Sequence, residues 1–472
     1  MQSRHRDDKS NGQAAASARP LRDDAARPTA IDQPPFANMT LATTHSVGKR
    51  ETESANPALK SSSVRTRVIF LSISFDPEPG AMMGLPLARR LRDFGYDVRV
   101  LTAIPWYPLG RRYPGYRWRL WQWENMDGIR VLRVPLYPSH DRSAVRRIMT
   151  YLSFMMSAIV LGIPRIGPAD IVFYFDSLPT TGAIAYALRL FRGARTVQHI
   201  GDMWPDTVTE SGMLPSPLRP LASRVVGGWC RFLYRRHAAI TVASPGLKQL
   251  LHDRGVPPDK VSVVYNWAYE DRFFPAVADP SIVRELDAQG KLTVLYAGNL
   301  GALQSLDTVV DAARLLRDRP DIQLLIMGTG AMETSLRDRA RGLDNVRFFP
   351  ARPVEQMNAV NAACDALLVH LKNVPLMHRT TPSKTQVALA CGKPLLVGVA
   401  GDAARLTERS GAGFAFAPED PQAMADAIRR MADLTPEARR SMGVRAREFY
   451  DEQMSLDIGS RTMASVFAAA SA

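Results

Sequence analysis

Short apolar runs rich in β-branched residues alternate with segments of helical period along most of this chain, and this alternation restricts the possible folds more than any other feature. In the first half the runs are 68–74, 98–103, 129–137, 170–177, 195–202, 239–244 and 261–266; in the second half they are 292–297, 322–328, 346–351, 365–371, 394–399 and 413–418. Strands that alternate with helices form βαβ units and parallel sheets. The two series predict an α/β fold of two Rossmann-like parallel-sheet domains that face each other across a cleft.

Composition shifts divide the chain further. Residues 1–64 are rich in Ser, Ala, Arg, Asp and Pro without a sustained period, which predicts a disordered tail. The polar stretch 270–289 separates an N-terminal domain, 65–275, from a C-terminal domain, 276–448. Segment 449–472 has helical character.

The charge balance of the 472-residue chain points to an anionic partner. Lys and Arg total 60 against 46 Asp and Glu, which gives a formal net charge of +14. Such a surface favours nucleic acid, anionic lipid or phosphorylated ligands. Nucleic acid is disfavoured because much of the Arg content lies in the tail and on scattered helix faces rather than in one stripe interleaved with aromatic residues. Three widely spaced cysteines and the lack of a secretory signal pattern predict a reducing, cytoplasmic location.

The strand 292–297 runs into the turn Gly298-Asn299-Leu300-Gly301, which precedes a helical pattern after Ser305. With Ser305 as N-cap, this unit would direct unpaired backbone N–H groups and a helix dipole at one point, which suits a phosphate. A plain turn that uses glycine for tightness is the alternative. The short pattern MGTG, with Gly328 and Gly330, follows the next strand and would let a ribose or base approach.

The stretch TPSKTQVALACGKP at 381–394 gives a sharper signal. Thr381-Pro382 opens a helix, and Ser383 and Lys384 fall in its first turn. A lysine there is unfavourable with the helix dipole, which indicates that it binds an anion such as a diphosphate. The alternative is a lysine that is simply solvated.

A second group of polar residues follows the strand at 195–202. His199 and Asp202 stand where α/β enzymes place groups that orient or deprotonate a hydroxyl, although Asp202 could equally cap the following turn. The chain contains no Asp-x-Asp pair to hold a divalent metal, so cationic side chains and helix N-termini would have to stabilise a diphosphate leaving group.

Two segments interrupt the strand–helix rhythm. Residues 111–128 are crowded with Arg, Tyr and Trp, and 146–167 carry an apolar run behind two arginines. That run is short for a membrane span, so it is either a buried core helix or a helix lying in the membrane interface. Aromatic and basic neighbours favour shallow contact with a membrane.

Across 67–460 the chain resembles the GT-B glycosyltransferases of family 4, in particular bacterial exopolysaccharide and O-antigen transferases. The resemblance rests on five features: the loop with Gly80, DMWPD at 202–206, YAGNLG at 296–301, MGTG at 327–330 and PSKTQVALACGKP at 382–394. It implies retaining transfer from a nucleotide-diphosphate sugar without a metal or other cofactor, with the donor on the C-terminal domain. It also implies that the terminal helix crosses back to the N-terminal domain, whereas by its sequence alone the segment could equally be a simple cap.

The resemblance assigns roles residue by residue. Gly298, Gly301 and Gly328 would line the nucleotide, Lys384 would bind the diphosphate, and Gly80 would approach the donor across the cleft. Asp202, or else His199, would stand at the acceptor. The departing phosphate can itself take the acceptor proton in this chemistry, so Asp202 would orient rather than act as base.

The chain departs from the family at two glutamates that contact the donor sugar and the ribose, since those positions hold Arg379 and Val387. This leaves an unusual donor, recognition by Thr380, Thr381 or Ser383, or a weakened enzyme. We therefore expect a transferase that acts on a lipid-linked saccharide acceptor while in peripheral contact with the cytoplasmic face of the inner membrane. A nucleotide-sugar epimerase and a catalytically silent sugar-nucleotide-binding protein are the alternatives.

Overall fold

The computed structural model describes residues 65–79, 83–140, 143–175, 178–204, 206 and 219–471, which form two α/β lobes. The predicted tail 1–64 and Gly80 lie outside the described residues. The strands of the N-terminal lobe are β1 (Arg67–Leu71), β2 (Asp97–Ala103), β3 (Gln122–Met126), β4 (Ile129–Val134), β5 (Ile171–Tyr174), β6 (Arg195–Ile200), β7 (Ala239–Val242) and β8 (Val261–Val263). They form one sheet in the order β3-β4-β2-β1-β5-β6-β7-β8, parallel except for the β3–β4 pair.

Helices connect these strands on both faces of the sheet. They are α1 (Leu85–Asp93), α2 (Ala144–Ser157), α3 (Ile163–Ile166), α4 (Pro179–Arg192), α5 (Arg219–Arg236) and α6 (Pro245–Asp253). A π-helical turn, Ala158–Gly162, joins α2 to α3 without a break, so the apolar segment predicted at 146–167 is one helix. By length and composition, its residues Val145–Ile166 could span a membrane, although only 28% of the most apolar stretch is buried in the protein.

The C-terminal lobe repeats the plan. Its strands are β9 (Leu292–Ala297), β10 (Ile322–Met327), β11 (Val346–Phe349), β12 (Ala366–His370), β13 (Leu395–Gly398) and β14 (Gly413–Ala415), all parallel in the order β11-β10-β9-β12-β13-β14. Its helices are α7 (Pro280–Glu285), α8 (Asp307–Leu315), α9 (Glu333–Arg339), α10 (Met357–Ala362), α11 (Ser383–Ala390), α12 (Asp402–Ser410), α13 (Pro421–Ala432) and α14 (Pro436–Gln453).

The two-domain parallel-sheet architecture predicted from the alternation is confirmed, and one strand was missed. Strand β3 pairs antiparallel with β4 at the edge of the sheet, where Trp123 lies opposite Leu132. Its side chains alternate between half-buried and exposed, so the segment lacks the apolar run by which the other strands could be recognised.

The carboxyl edges of the two sheets face each other. Just beyond β7, the Ser244 hydroxyl donates to the backbone carbonyl of Arg379, at 2.5 Å. The Gly246 N–H donates to the Asp402 carboxylate, at 2.6 Å, at the start of the helix that follows β13. These contacts hold the strand ends of the two lobes against each other, and a ligand in such folds binds beyond strand ends.

The last helix, α15 (Leu456–Ser471), packs on the N-terminal lobe. Phe467 is buried edge-on against Tyr96 and Phe173, and the Tyr96 hydroxyl donates to the Ala464 carbonyl. The crossing helix therefore exists, but it begins at Leu456, whereas the prediction began at 449. Residues 449–453 are the end of α14, which packs on the C-terminal lobe.

Candidate active site

A cavity of about 480 Å3 opens at the carboxyl edge of the C-terminal sheet. It lies beyond the ends of β9 and β10 and beside β12. At β9 the order of the strands in the sheet changes direction: β10 and β11 follow on one side of β9, and β12, β13 and β14 follow on the other. Such a switch point leaves a crevice for a ligand in open α/β sheets. Among the described residues that line the cavity there are two cations, Arg352 and Lys384, and no carboxylate.

Lys384 is the second residue of α11, and its side chain reaches back over the end of β9. Its Nζ lies 5.1 Å from the centre of the Tyr296 ring. Burial lowers the pKa of the Lys384 ammonium, and no described carboxylate lies close enough to form an ion pair with it. A desolvated cation at a helix N-terminus, facing a cavity, is arranged to receive an anion.

The structure brings some of the predicted donor-site residues together and leaves others apart. Those that line the cavity are Gly298, Asn299, Gly328, Ser383 and Lys384. Those outside its lining are Gly301, Gly330 and Thr381. The roles assigned to all of them stay predictions.

Gly328 and Gly330 are explained by packing between two loops. A Cβ on Gly328, which has φ +147°, would overlap the carbonyl oxygen of Gly298. A Cβ on Gly330 would come within 2.5 Å of the Leu300 backbone. These two glycines let the turns after β9 and β10 lie against each other and so shape the cavity wall.

Gly298 has a different neighbour. A Cβ there would lie 2.8 Å from Cε and 2.9 Å from Nζ of Lys384. The glycine therefore leaves the space in which the lysine side chain lies, and the two distant sequence signals meet at one point.

Three N–H groups of the turn after β9, which was predicted to offer unpaired N–H groups to a phosphate, are already hydrogen-bonded within the protein. The N–H groups of Gly298, Leu300 and Gly301 donate to the Met327 carbonyl, the Thr329 carbonyl and the Gln304 side chain, respectively. Ser305 is also not an N-cap: its φ is +46°, it ends a short 3-10 turn, and its hydroxyl donates to Glu419. The turn was closed by local hydrogen bonds that sequence spacing did not reveal.

Arg352 was missed by the sequence reasoning. It follows β11 at the carboxyl edge, lines the cavity, and pairs with Glu285. Its position after a strand was the available signal, but the neighbouring residues form no motif. It is the second cation of the cavity wall, and unlike that of Lys384 its charge is opposed by a carboxylate.

The two positions that lack glutamate lie in different places. Val387 lines the cavity one turn after Lys384 and gives it an apolar patch. Arg379 lies at the contact between the lobes, where its carbonyl accepts from Ser244 and its guanidinium lies 3.7 Å from Asp253. Neither position therefore supplies a carboxylate for a sugar hydroxyl.

The predicted acceptor residues lie at the end of β6. Asp202 is exposed two residues beyond the strand, and the protein around it raises the pKa of its carboxyl by desolvation. His199 is buried within β6, and its Nδ1 lies 3.0 Å from the Thr241 hydroxyl. Burial lowers the pKa of His199 to about 4, so the ring is neutral at physiological pH. Neither residue lines the donor cavity, and the catalytic roles of both stay predictions.

The second aspartate of DMWPD has a structural partner. Both carboxylate oxygens of Asp206 lie 2.7 Å from Nη2 of Arg254. This pair ties the loop after β6 to the end of α6. Within the described part of the chain, no group of three or more His, Cys, Asp or Glu side chains is arranged to hold a metal ion.

Comparison with known proteins shows which domain families the chain matches. A glycosyl transferase 4-like domain matches residues 85–267, and a glycosyl transferases group 1 domain matches 291–433. The chain is similar to a protein of Escherichia coli K12 named a colanic acid biosynthesis glycosyl transferase, WcaI, with 29% identity over 337 residues that cover 69% of this chain and 81% of the relative.

Two solved structures share the fold. HepE of Anabaena, solved with UDP-glucose, superposes with a TM-score of 0.59 at 16% identity, covering 86% of this chain and 100% of HepE. WaaG, a glycosyltransferase involved in lipopolysaccharide biosynthesis, superposes with a TM-score of 0.54 at 18% identity, covering 84% of this chain and 99% of WaaG. Because both domain families match in the expected order and the fold agrees, the chain belongs to the GT-B glycosyltransferases of family 4 and is a transferase.

Proposed function

We propose that the protein transfers a sugar, with retention of anomeric configuration, from a nucleotide-diphosphate sugar to a lipid-linked saccharide acceptor. The observation that carries the proposal is Lys384, a desolvated cation without a carboxylate partner among the described residues, at a helix N-terminus in the cavity. The diphosphate of the donor would supply the anion that this position lacks.

The proposed chemistry is a substitution at the anomeric carbon of the donor. The bond between the anomeric carbon and the β-phosphate oxygen breaks, and the acceptor hydroxyl oxygen bonds to the anomeric carbon on the same face. The hydroxyl proton passes to the departing phosphate. Lys384 and the N-terminal N–H groups of α11 stabilise the charge that develops on the leaving group, without a metal or other cofactor. Asp202 holds the acceptor hydroxyl in position.

The relatives support the class of pathway. WcaI is named for colanic acid biosynthesis, WaaG for lipopolysaccharide biosynthesis, and HepE was solved with UDP-glucose. On this support we propose that the reaction belongs to exopolysaccharide or O-antigen assembly, and we propose further that it takes place at the cytoplasmic face of the inner membrane. The three cysteines, all buried and unpaired with each other, are consistent with a reducing compartment.

The test is a thermal-shift panel of nucleoside diphosphates and their sugars, followed by a transfer assay with membrane lipid extracts. The proposal predicts that a nucleotide-diphosphate sugar raises the melting temperature. It also predicts that the nucleoside diphosphate is released in step with a glycolipid product, at the same rate after metal chelation. Stabilisation by none of the ligands, or turnover that requires an added divalent metal, would contradict the proposal.

A further inference from the structure

The outer face of the long helix α2–α3 carries an apolar stripe that no other described element covers. Its exposed side chains recur at helical spacing: Val145, Ile148, Met149, Leu152, Met156 and Val160, each between 44% and 68% exposed. At 1.5 Å per residue the stripe is roughly 22 Å long. A soluble surface seldom leaves so continuous an apolar line open to water.

Neighbouring elements widen the stripe into a face. Helix α4 packs between α2 and α5, and adds Leu190 and Phe191, which are 64% and 69% exposed. The segment before β3 adds exposed Trp118 and Trp121, and the Arg165 guanidinium stacks 3.6 Å from the Trp121 ring. That contact fixes the tryptophan segment beside the end of the helix.

The charges on these elements have one sign. In the segments 111–123, 144–166, 179–192 and 219–236, every charged residue is an arginine. The exposed arginines Arg117 and Arg119 flank Trp118 and form no ion pair with any described residue. Apolar side chains, interfacial tryptophans and unopposed arginines together match an anionic bilayer surface better than they match another protein.

The inner side of the same helix is held by the protein. Phe154 and Ala158 are fully buried, and Gly162 lies so close to the sheet that a Cβ there would be 2.7 Å from a methyl of Leu101. Crossing a bilayer would require the helix to leave these contacts and expose the sheet beneath it. The helix is therefore built to lie flat.

We propose that this basic apolar face, formed by the outer side of α2–α3, the end of α4 and the Trp118–Trp123 segment, rests on an anionic bilayer with the axis of α2–α3 in the membrane plane. Because α2 follows β4, its first turn lies at the carboxyl edge of the sheet, the edge that faces the donor lobe. The face thus brings the mouth of the cleft to the depth of lipid head groups. This inference deepens the proposed function, since it names the surface by which the enzyme would reach a lipid-linked acceptor.

The test is sedimentation of the full chain with phosphatidylcholine vesicles that contain or lack phosphatidylglycerol. The proposal predicts binding to the anionic vesicles, weakening as salt rises, and little binding to neutral ones. A blue shift of tryptophan emission on binding should accompany it. Equal affinity for both vesicle types, or no binding to either, would overturn the proposal.

Substitutions test whether these residues form the membrane-binding face. Leu152→Glu with Met156→Glu should lower partitioning by at least roughly tenfold, because each side chain loses burial in the interface. Arg117→Gln with Arg119→Gln should lower it roughly fivefold per arginine. The matched controls are Val277→Glu with Val444→Glu, and Arg284→Gln with Arg317→Gln, which make the same changes in charge at exposed residues of the C-terminal lobe. Equal losses in the variants and their controls would refute the assignment.

Two further readouts separate the outcomes. Alkaline carbonate should release the bound protein, since a flat helix is peripheral, whereas retention in the pellet would indicate a spanning helix and contradict the orientation. Vesicle binding requires neither donor nor acceptor, and nucleotide-sugar binding is measured without lipid. Failure of the membrane inference and failure of the proposed function are therefore distinguishable.

Discussion

Lys384→Met tests the site directly, because methionine keeps much of the length of the lysine side chain and removes the ammonium group with its charge and N–H donors. In the unliganded protein the charge has no carboxylate partner among the described residues, and burial works against it. Its interaction with Tyr296 at 5.1 Å contributes about 0.5–1 kcal/mol, which relief of the desolvated charge offsets. We therefore expect a melting temperature equal to or slightly above that of the wild type.

Turnover should respond very differently. Removing one preorganised group that stabilises a developing negative charge typically lowers kcat by about 10²–10³-fold, or about 2.7–4 kcal/mol in the barrier. The assay follows release of nucleoside diphosphate under saturating donor, together with the thermal melt of each variant. A decrease in kcat of that size with an unchanged melt is the predicted result.

Lys393→Met is the matched control. The Lys393 ammonium also lies in the C-terminal lobe and also has a lowered pKa from burial, but it donates to the carbonyls of Ala362 and Cys364, at 2.7 and 2.9 Å. Its loss leaves buried acceptors unsatisfied and should lower the free energy of unfolding by roughly 1–3 kcal/mol, with little change in kcat. If Lys384→Met turned over within a few-fold of the wild type, the assignment of the diphosphate to this lysine would be refuted.

Three further predictions concern the rest of the site. Gly328→Ala should lower the melting temperature more than Gly342→Ala, because both glycines have positive φ but only at Gly328 would a Cβ overlap a carbonyl oxygen, that of Gly298. Equal losses in thermal melts would show that the loops after β9 and β10 can separate. The pKa of His199 is about 4 in the folded protein and about 6.5 in the unfolded chain. The unfolded chain therefore binds a proton first as the pH falls, and the free energy of unfolding decreases between about pH 6.5 and pH 4. That loss should be on the order of 3 kcal/mol in chemical denaturation between pH 6.5 and 4, and His199→Gln should lack it; an unchanged slope would argue against a neutral buried ring. The pKa of Asp202 is raised, so wild-type turnover should fall on acidification at a higher pH than an aspartate of ordinary pKa would give, and Asp202→Asn should turn over more slowly without that acidic limb; a pH–rate profile that keeps the limb in the variant would remove Asp202 from the mechanism.

Much of the fold could be predicted from periodicity, because a strand buried on both faces must be apolar along its whole length. That rule found every strand of the C-terminal sheet and failed at β3, which lies at an edge and needs no apolar run. The same rule also could not predict the residue at which the terminal helix begins. The break between α14 and α15 depends on a tertiary contact, in which the Leu456 N–H and the Tyr450 hydroxyl both donate to Glu270 from the linker between the lobes.

The site was partly predictable for the same kind of reason. Lys384 stood out because a lysine in the first turn of a helix conflicts with a local rule, and such conflicts mark functional positions. The turn at 298–301 was predicted to offer unpaired N–H groups to a phosphate, because spacing cannot show that the N–H groups of Gly298, Leu300 and Gly301 already donate to neighbouring acceptors. Arg352 could not be found, since it approaches the cavity from a strand end whose neighbours carry no pattern.

The assignment of the diphosphate to Lys384 can be checked in a crystal structure of the protein with a bound nucleoside diphosphate. We expect a diphosphate in the cavity beyond β9 and β10, with an oxygen within hydrogen-bond distance of Lys384 Nζ and of an N–H in the first turn of α11. A diphosphate bound elsewhere in the cleft, with Lys384 still without an anionic partner, would contradict it.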